Sequence, residues 1–455
     1  MQMRRWMLVV ALLSLLAICL SCGQNYRSPI IPIPGNPGDP SLYHFAMTIS
    51  RTDPTINAAI PGAVTQIDVS GDSNAGVVNM GRGPVYAALL TGGAVNRVYV
   101  ANGLEDTVST TTAAPASCFP TGSVCPMGAV STITMPGGSS PSYLASTEAS
   151  NMYVLLPGLT PPAVGVIATL QNALTQQIAL PAGNPVAMAE LPNGQKLYVV
   201  DQANSTVYVV DTVSRQIVQT LAAGVSPTMV IASPDNSAVY VMSNIGVSVI
   251  DPLTDQLVAG NLSTTGQPNS IAYDTKLNRL YVTDTSGRVG IYNAAVPAGT
   301  LPSTFLITPA GFVPGAIGVA PLPDGTRFYV LGIDPAQPLG TSLTLTAVDS
   351  ATLSPIASNP PNSPNPYPLD SLNTNGTPVN PVLQTCPSVR FRFMVGASAD
   401  SGRVYVSSCD AGGTYIFRTS DNTGVLLMPA PIQPPIPLPP TVPTPQNPVF
   451  LITGR

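Results

Sequence analysis

The chain is poor in charge and almost empty of the side chains that move protons at neutral pH. Asp, Glu, Lys and Arg make up 9% of 455 residues, the only lysines are Lys196 and Lys276, and the only histidine is His44. A Ser-His-Asp arrangement would therefore rest on His44, whose plainer reading is a partly buried residue of a strand near the N-terminus. The formal charge is −5 with no basic stripe, so nucleic acid is not an expected partner. Glycine loops of the P-loop or dinucleotide kind lack their strand-to-helix setting, because no helix is expected after the first 21 residues. An EF-hand calcium loop is missing. Zinc sites want Cys or His in tight clusters, which this sequence does not offer. No metal, cofactor or catalytic group is expected on these grounds.

Proline (50) and glycine (39) are abundant instead, as in a chain of many strands joined by many turns. Residues 224–266 show the repeating unit. Four runs within it, 228–232, 238–242, 246–251 and 256–261, alternate apolar and polar residues or are β-branched, and each is bounded by turn formers such as Ser233-Pro234-Asp235-Asn236. Four antiparallel strands of this size cannot bury both faces alone, so the unit needs a neighbour on each side.

The unit recurs on a Tyr-Val pair in its second strand, at Tyr99, Tyr153, Tyr198, Tyr240, Tyr281, Tyr329 and Tyr405, with spacings of 54, 45, 42, 41, 48 and 76. Six first strands open near a proline, at Pro84, Pro141, Pro185, Pro227, Pro268 and Pro314, usually shortly after a glycine. Repeats of roughly 40–45 residues with four strands each predict an all-β fold, a β-propeller.

Val249-Ile250-Asp251, Val209-Val210-Asp211, Tyr281-Val282-Thr283-Asp284 and the Gly-x-x-Pro openings resemble the YVTN-type β-propeller repeat family of bacteria and archaea over about residues 81–430. Ile291-Tyr292-Asn293 and Val166-Ile167-Ala168 depart from its third-strand pattern. The resemblance implies the propeller fold and a cell-surface or periplasmic setting. Activity in such proteins is usually unassigned, although some relatives with similar repeats are lactonases.

Arg4 and Arg5 precede the apolar run 6–17 and the small residues around Ser21-Cys22-Gly23, which makes residues 1–21 a secretory signal. Cys22 resembles the lipidated cysteine of a bacterial lipoprotein, although Cys19 stands where that pattern usually has Leu; a secreted protein cut nearby is the alternative. The proline-rich stretch 22–41 suits a spacer. The expected product is a monomeric propeller, 42–455, held at an outer-membrane or cell surface by a lipid anchor and facing the periplasm or exterior. Four further cysteines fit an oxidising compartment, and the expected pairs are Cys118–Cys125 and Cys386–Cys409.

Strand-like runs also precede the first Tyr-Val pair, at 43–50, 63–69 and 76–80. They read as second, third and fourth strands of a blade whose inner strand is missing. After the proline-rich linker 429–448, the run 449–453 supplies it, closing the circle from both termini. Eight four-stranded blades follow, or seven if 41–80 is an accessory hairpin. Two insertions interrupt the period: 113–128 between a third and a fourth strand, and 359–387 between one blade's last strand and the next blade's first.

The candidate ligand-binding residues are polar groups that follow second strands at the channel mouth: Asn102, Glu105, Asp106, Asp201, Asn204, Asn244, Asp284 and Asp410. Their plainer reading is turn chemistry, since Asp and Asn tolerate left-handed backbone and cap turns. The expected function is a binding or scaffold module for a protein, glycan or envelope partner. The rival is an exported lactonase-like hydrolase or lyase in which these oxygens hold a divalent ion that polarises an ester carbonyl.

Overall fold

A run such as Arg-Leu-Tyr-Val-Thr-Asp puts β-branched and aromatic side chains on both faces of a strand, which is stable only where both faces are covered. The computed structural model satisfies that demand eight times. It describes residues 45–51, 60–68, 73–90, 97–113, 127–147, 150–334, 343–356, 365–369, 391–409, 413–419 and 447–453. Eight antiparallel sheets succeed one another in a ring, an eight-bladed β-propeller with no helix among the described residues. In order they are blade 1 (84–134), blade 2 (143–179), blade 3 (185–221), blade 4 (229–262), blade 5 (268–307), blade 6 (316–368), blade 7 (393–418) and blade 8, which is composite. Seven have four strands, and blade 7 has three among the described residues.

Blade 8 takes its innermost strand, Asn447–Thr453, from the end of the chain, and its other three, Phe45–Arg51, Pro61–Asp68 and Ser73–Arg82, from the beginning. The inner pair is antiparallel, with Ile452 opposite Met47 and Phe450 opposite Ile49. Residues 61–82 are therefore the outer half of a blade rather than an accessory hairpin, and the seven-bladed alternative falls. With this pairing no blade is left with an uncovered neighbour.

All seven Tyr-Val pairs lie on second strands, and their tyrosines are buried between sheets. The base two residues before several of them stitches one blade to the next. Arg97 of blade 1 donates to the Thr169 carbonyl in the outer turn of blade 2 (2.9 Å), and Lys196 of blade 3 donates to the Pro252 carbonyl (2.7 Å) and to Asp255 (2.8 Å) in the outer turn of blade 4. Arg279 of blade 5 reaches the Ser350 carbonyl of blade 6 in the same way (2.7 Å). The tyrosine hydroxyls join in, Tyr99 donating to Asn172 and Tyr198 to Asp255, each at 3.2 Å. Burial, reinforced by the Asp255 carboxylate, raises the Tyr198 phenol well above its ordinary value, so it remains a donor.

One boundary differs from the sequence expectation. The segment 359–387 does not begin after the last strand of its blade: the outer strand of blade 6 is Tyr367–Pro368, two residues paired to Leu345 and Thr344. Outer strands carry the least apolar sequence, and this one has too few residues to show a period. Cys118, Cys125, Cys386 and Asp410, with the signal, the tether, His44 and most of the 429–448 linker, lie outside the described residues.

Phe450 is buried against Tyr86 (ring centroids 4.2 Å) and Phe391 (5.1 Å) on the closing strand. Phe450→Ala is expected to lower unfolding free energy by about 3–5 kcal/mol, read by urea denaturation. A change below about 0.5 kcal/mol, the range of surface substitutions, would contradict the closure.

Candidate functional site

The candidate polar residues sit where second strands end, and the structure shows what holds them there. Asp201 is fully buried. Its Oδ1 accepts the N–H of Asn184, in the segment that leads into the first strand of the same blade, and the N–H of Asn204 in the following turn, each at 3.0 Å. Its Oδ2 accepts Asn204 Nδ2 (2.8 Å) and the Tyr208 hydroxyl (3.2 Å). Asn204 also donates to the Ala182 carbonyl. Asp284 repeats the arrangement two blades on, accepting the N–H of Gly266 (3.1 Å) and both the N–H and hydroxyl of Ser286.

This explains the opening glycine of blades 3 and 4. A Cβ on Gly183 would collide with the Asp201 carboxylate, and one on Gly224 with the Ser243 hydroxyl, which occupies the same position in blade 4. In these blades the glycine before the first strand and the Asp or Ser that ends the second are two halves of one fastening.

The remaining candidates are used locally as well. Asn102 is buried and donates to Thr107 (3.1 Å) and Ser109 (2.8 Å) of its own blade. Glu105 accepts the Arg82 N–H (2.6 Å), which ties blade 8 to blade 1. Asp106 accepts the N–H groups of Ser140 (2.8 Å) and Gly138 (2.7 Å), and these bonds, the Ser140 one foremost, hold its carboxyl below the ordinary value. Asn244 is exposed and accepts Gln267 Nε2 (2.6 Å). Among the described residues no three of His, Cys, Asp and Glu come together in a group able to hold a metal ion.

The arrangement that sequence reasoning missed is the channel itself. First strands of neighbouring blades face one another around the axis. On one arc Tyr86 stacks on Tyr143 (3.9 Å) and leans on Phe450 and Phe391, so that aromatic rings from four segments fill the space. Beside them a cavity of about 650 Å³ stays open among blades 3 to 7, walled by Met229, Ile271, Ile317, Phe393, Val395 and Phe391 of the aromatic group itself, with Gln202, Asn269 and Ser270 as polar points. The signal was faint: these first strands share no doublet like Tyr-Val. What marks them is apolar residues left half-exposed on the side facing the axis.

No protein-family model matches the chain, and no curated protein does. Among solved structures it is similar to apo AztD from Citrobacter koseri, with 12% identity and a TM-score of 0.56 over 90% of this chain and 99% of that one. It is similar also to the dihydro-heme d1 dehydrogenase NirN in complex with DHE, with 13% identity and a TM-score of 0.57 over 89% and 76% of the two chains. A functionally unknown protein from Desulfotomaculum acetoxidans DSM 771 aligns at 15% identity and a TM-score of 0.50 over 69% of this chain and 94% of that one. What these likenesses share with this chain is the fold.

Burial acts to raise the Asp284 carboxyl, but the hydrogen bonds from Ser286, Gly266 and Arg288 outweigh it and leave the group below its ordinary 3.8. A carboxyl held lower in the folded state than in the unfolded chain stabilises fully above the unfolded value and loses that contribution as pH falls through the folded one. Asp284→Ala should therefore cost about 1–3 kcal/mol at pH 7, the penalty for stranding buried N–H groups. The gap from wild type should narrow below about pH 4. Urea melts across pH 3–8 check this, and a gap independent of pH would contradict it.

Proposed function

We propose that this chain is a tethered extracytoplasmic propeller that binds an envelope partner, protein or glycan, and serves as a scaffold rather than turning over a substrate. The observation that carries the reading is the wall of the axial cavity. It is concave, mostly apolar and about 650 Å³, and among the described residues that line it none titrates between pH 3 and 12. Binding sites are built that way, with a few polar groups to set orientation. General acid-base or metal-assisted hydrolysis needs groups that this wall lacks. The lactonase-like rival relied on the carboxylates at second-strand ends, and those of Asp201 and Asp284 are already occupied by backbone N–H groups of their own blades.

The tether and the address belong to the same proposal. The basic pair, the apolar run, Cys22 and the prolines after it support a lipoprotein on an outer-membrane or cell surface, working as a monomer. The Tyr-Val, Val-Ile-Asp and Gly-x-x-Pro repeats support membership of the YVTN-type group. An oxidising compartment suits the two cysteine pairs. Of the second pair only Cys409 lies among the described residues, buried at the end of its second strand with its N–H bonded to the Arg392 carbonyl (3.0 Å).

Two measurements test the reading. Intact-mass analysis of the mature N-terminus should find a diacyl or triacyl group on Cys22, and an unmodified Cys22 would refute the anchor. Ser270→Phe, which places a ring at the cavity wall outside the packed inter-blade clusters, should weaken co-sedimentation with isolated envelope fragments about tenfold while leaving the thermal unfolding curve in place. Turnover of lactones by the purified protein, abolished in folded Asp201→Asn and Asp284→Asn variants, would move the assignment to the rival.

A further inference from the structure

We propose that the face of the ring on which the chain enters rests directly on lipid, through three aliphatic turn tips, Leu170, Val213 and Leu253. These are the most exposed large hydrophobic residues described, at 85, 87 and 78%. They occupy one position in successive repeats, the second residue of the turn between third and fourth strands in blades 2, 3 and 4. The residue two places beyond each tip is left-handed: Asn172 (φ 50°), Arg215 (φ 58°) and Asp255 (φ 52°). The same turn is thus built three times, each with a large aliphatic residue at its apex. The turn does not demand one, because blade 6 makes it with Leu353 at φ 55° and puts Ala351 at the apex.

The tips are held rigidly. Asp211 accepts the Ser214 N–H and Asp251 the Leu253 N–H, while Arg97 and Lys196 grip the turns of blades 2 and 4 from the blades before them. A rigid apolar apex loses little conformational freedom on burial. Isolated exposed aliphatics are ordinary; here one apex position of one face carries such a residue in three successive blades.

Chain direction says by what. In blade 3 the first residue of the second strand, Lys196, pairs with the last residue of the third, Asp211, so these turns lie on the face where second strands begin. The chain enters blade 8 on that same face, with Phe45 opposite Asp68, and its last described residue, Thr453, lies opposite Ala46 there. Twenty-two residues separate Cys22 from Phe45, and such a length spans at most about 75 Å. An acyl group on Cys22 would allow this face, where the chain joins the ring, to reach the bilayer; the inference rests on the lipoprotein reading above in that respect.

The chemistry around the tips suits an interface. Asp255 is neutralised by Lys196 at 2.8 Å, and the Asp211 and Asp251 carboxylates are turned into their own turns. The turns otherwise present hydroxyls, amides and the Arg215 guanidinium, a composition that sits at headgroup depth with its aliphatic points below it.

The test is hydrogen exchange of the lipidated protein on vesicles of phosphatidylethanolamine and phosphatidylglycerol, compared with the Cys22→Ser full-length chain in solution. Turns 169–172, 212–215 and 252–255 should slow at least fivefold on vesicles, while the opposite-face turns 203–205 and 285–287 should not. The triple variant Leu170→Ser, Val213→Ser, Leu253→Ser should stay anchored and lose the protection. Equal exchange on both faces would overturn the proposal, as would protection that appears only when a second protein is added or protein density is raised. If intact mass shows Cys22 unmodified, the tether reading fails, and co-sedimentation with the same vesicles decides for the tips alone. A drop of threefold or more in the triple variant supports them, and no drop overturns them.

Discussion

A sheet with apolar side chains on both faces has no stable place in water except between two others, and that constraint organises the whole molecule. Each blade here presents β-branched and aromatic residues to its neighbours on either side, so the number of covered faces equals the number of faces only when the row bends into a ring. Area burial supplies most of the stabilisation and is indifferent to register. Direction and register come from polar stitches: the base and tyrosine of one second strand reaching the outer turn of the next blade, as Lys196 and Tyr198 do with Asp255. A partly buried bond of this kind is charge-assisted and stronger than one in open solvent.

How far this was legible in the sequence depends on whether cause and partner lie close together in the chain. The strands of blade 4 were legible almost to the residue, because alternation and turn formers are local signals. So was closure from the two ends, because a final β-rich run without a partner and a leading blade without an inner strand match one another. The stitches were not, although Arg97, Lys196, Arg279, Arg327 and Arg403 all stand two residues before their tyrosines: Arg97 finds its acceptor 72 residues away, and only the closed ring brings them together. The link between Gly183 and Asp201 was half visible, as two motifs whose steric dependence appears only when both are in place. The aromatic group on the axis was hidden for another reason. Tyr86, Tyr143, Phe391 and Phe450 come from four segments and share no pattern.

The same economy explains the scarcity of free acidic groups at the strand ends. A propeller must fasten each incoming segment to the turn beside it, and a carboxylate with four lone-pair sites accepts two or three N–H groups at once. Asp201 and Asp284 spend their capacity in that way. On the proposed reading, recognition is left to shape and apolar area along the axis, where the aromatic rings beside the open space make it one-sided.

The composite blade sets an order of events for the chain in the cell. Residues 447–453 leave the ribosome after every other described strand, yet they must lie against Phe45–Arg51, which emerged before the other described strands. Pairing across that separation is the slowest kind of contact to form. Until it does, the inner edge of Phe45–Arg51 stays bare. A prematurely terminated product would carry that unfilled seam permanently, a mark by which chaperones and proteases could sort finished molecules from faulty ones.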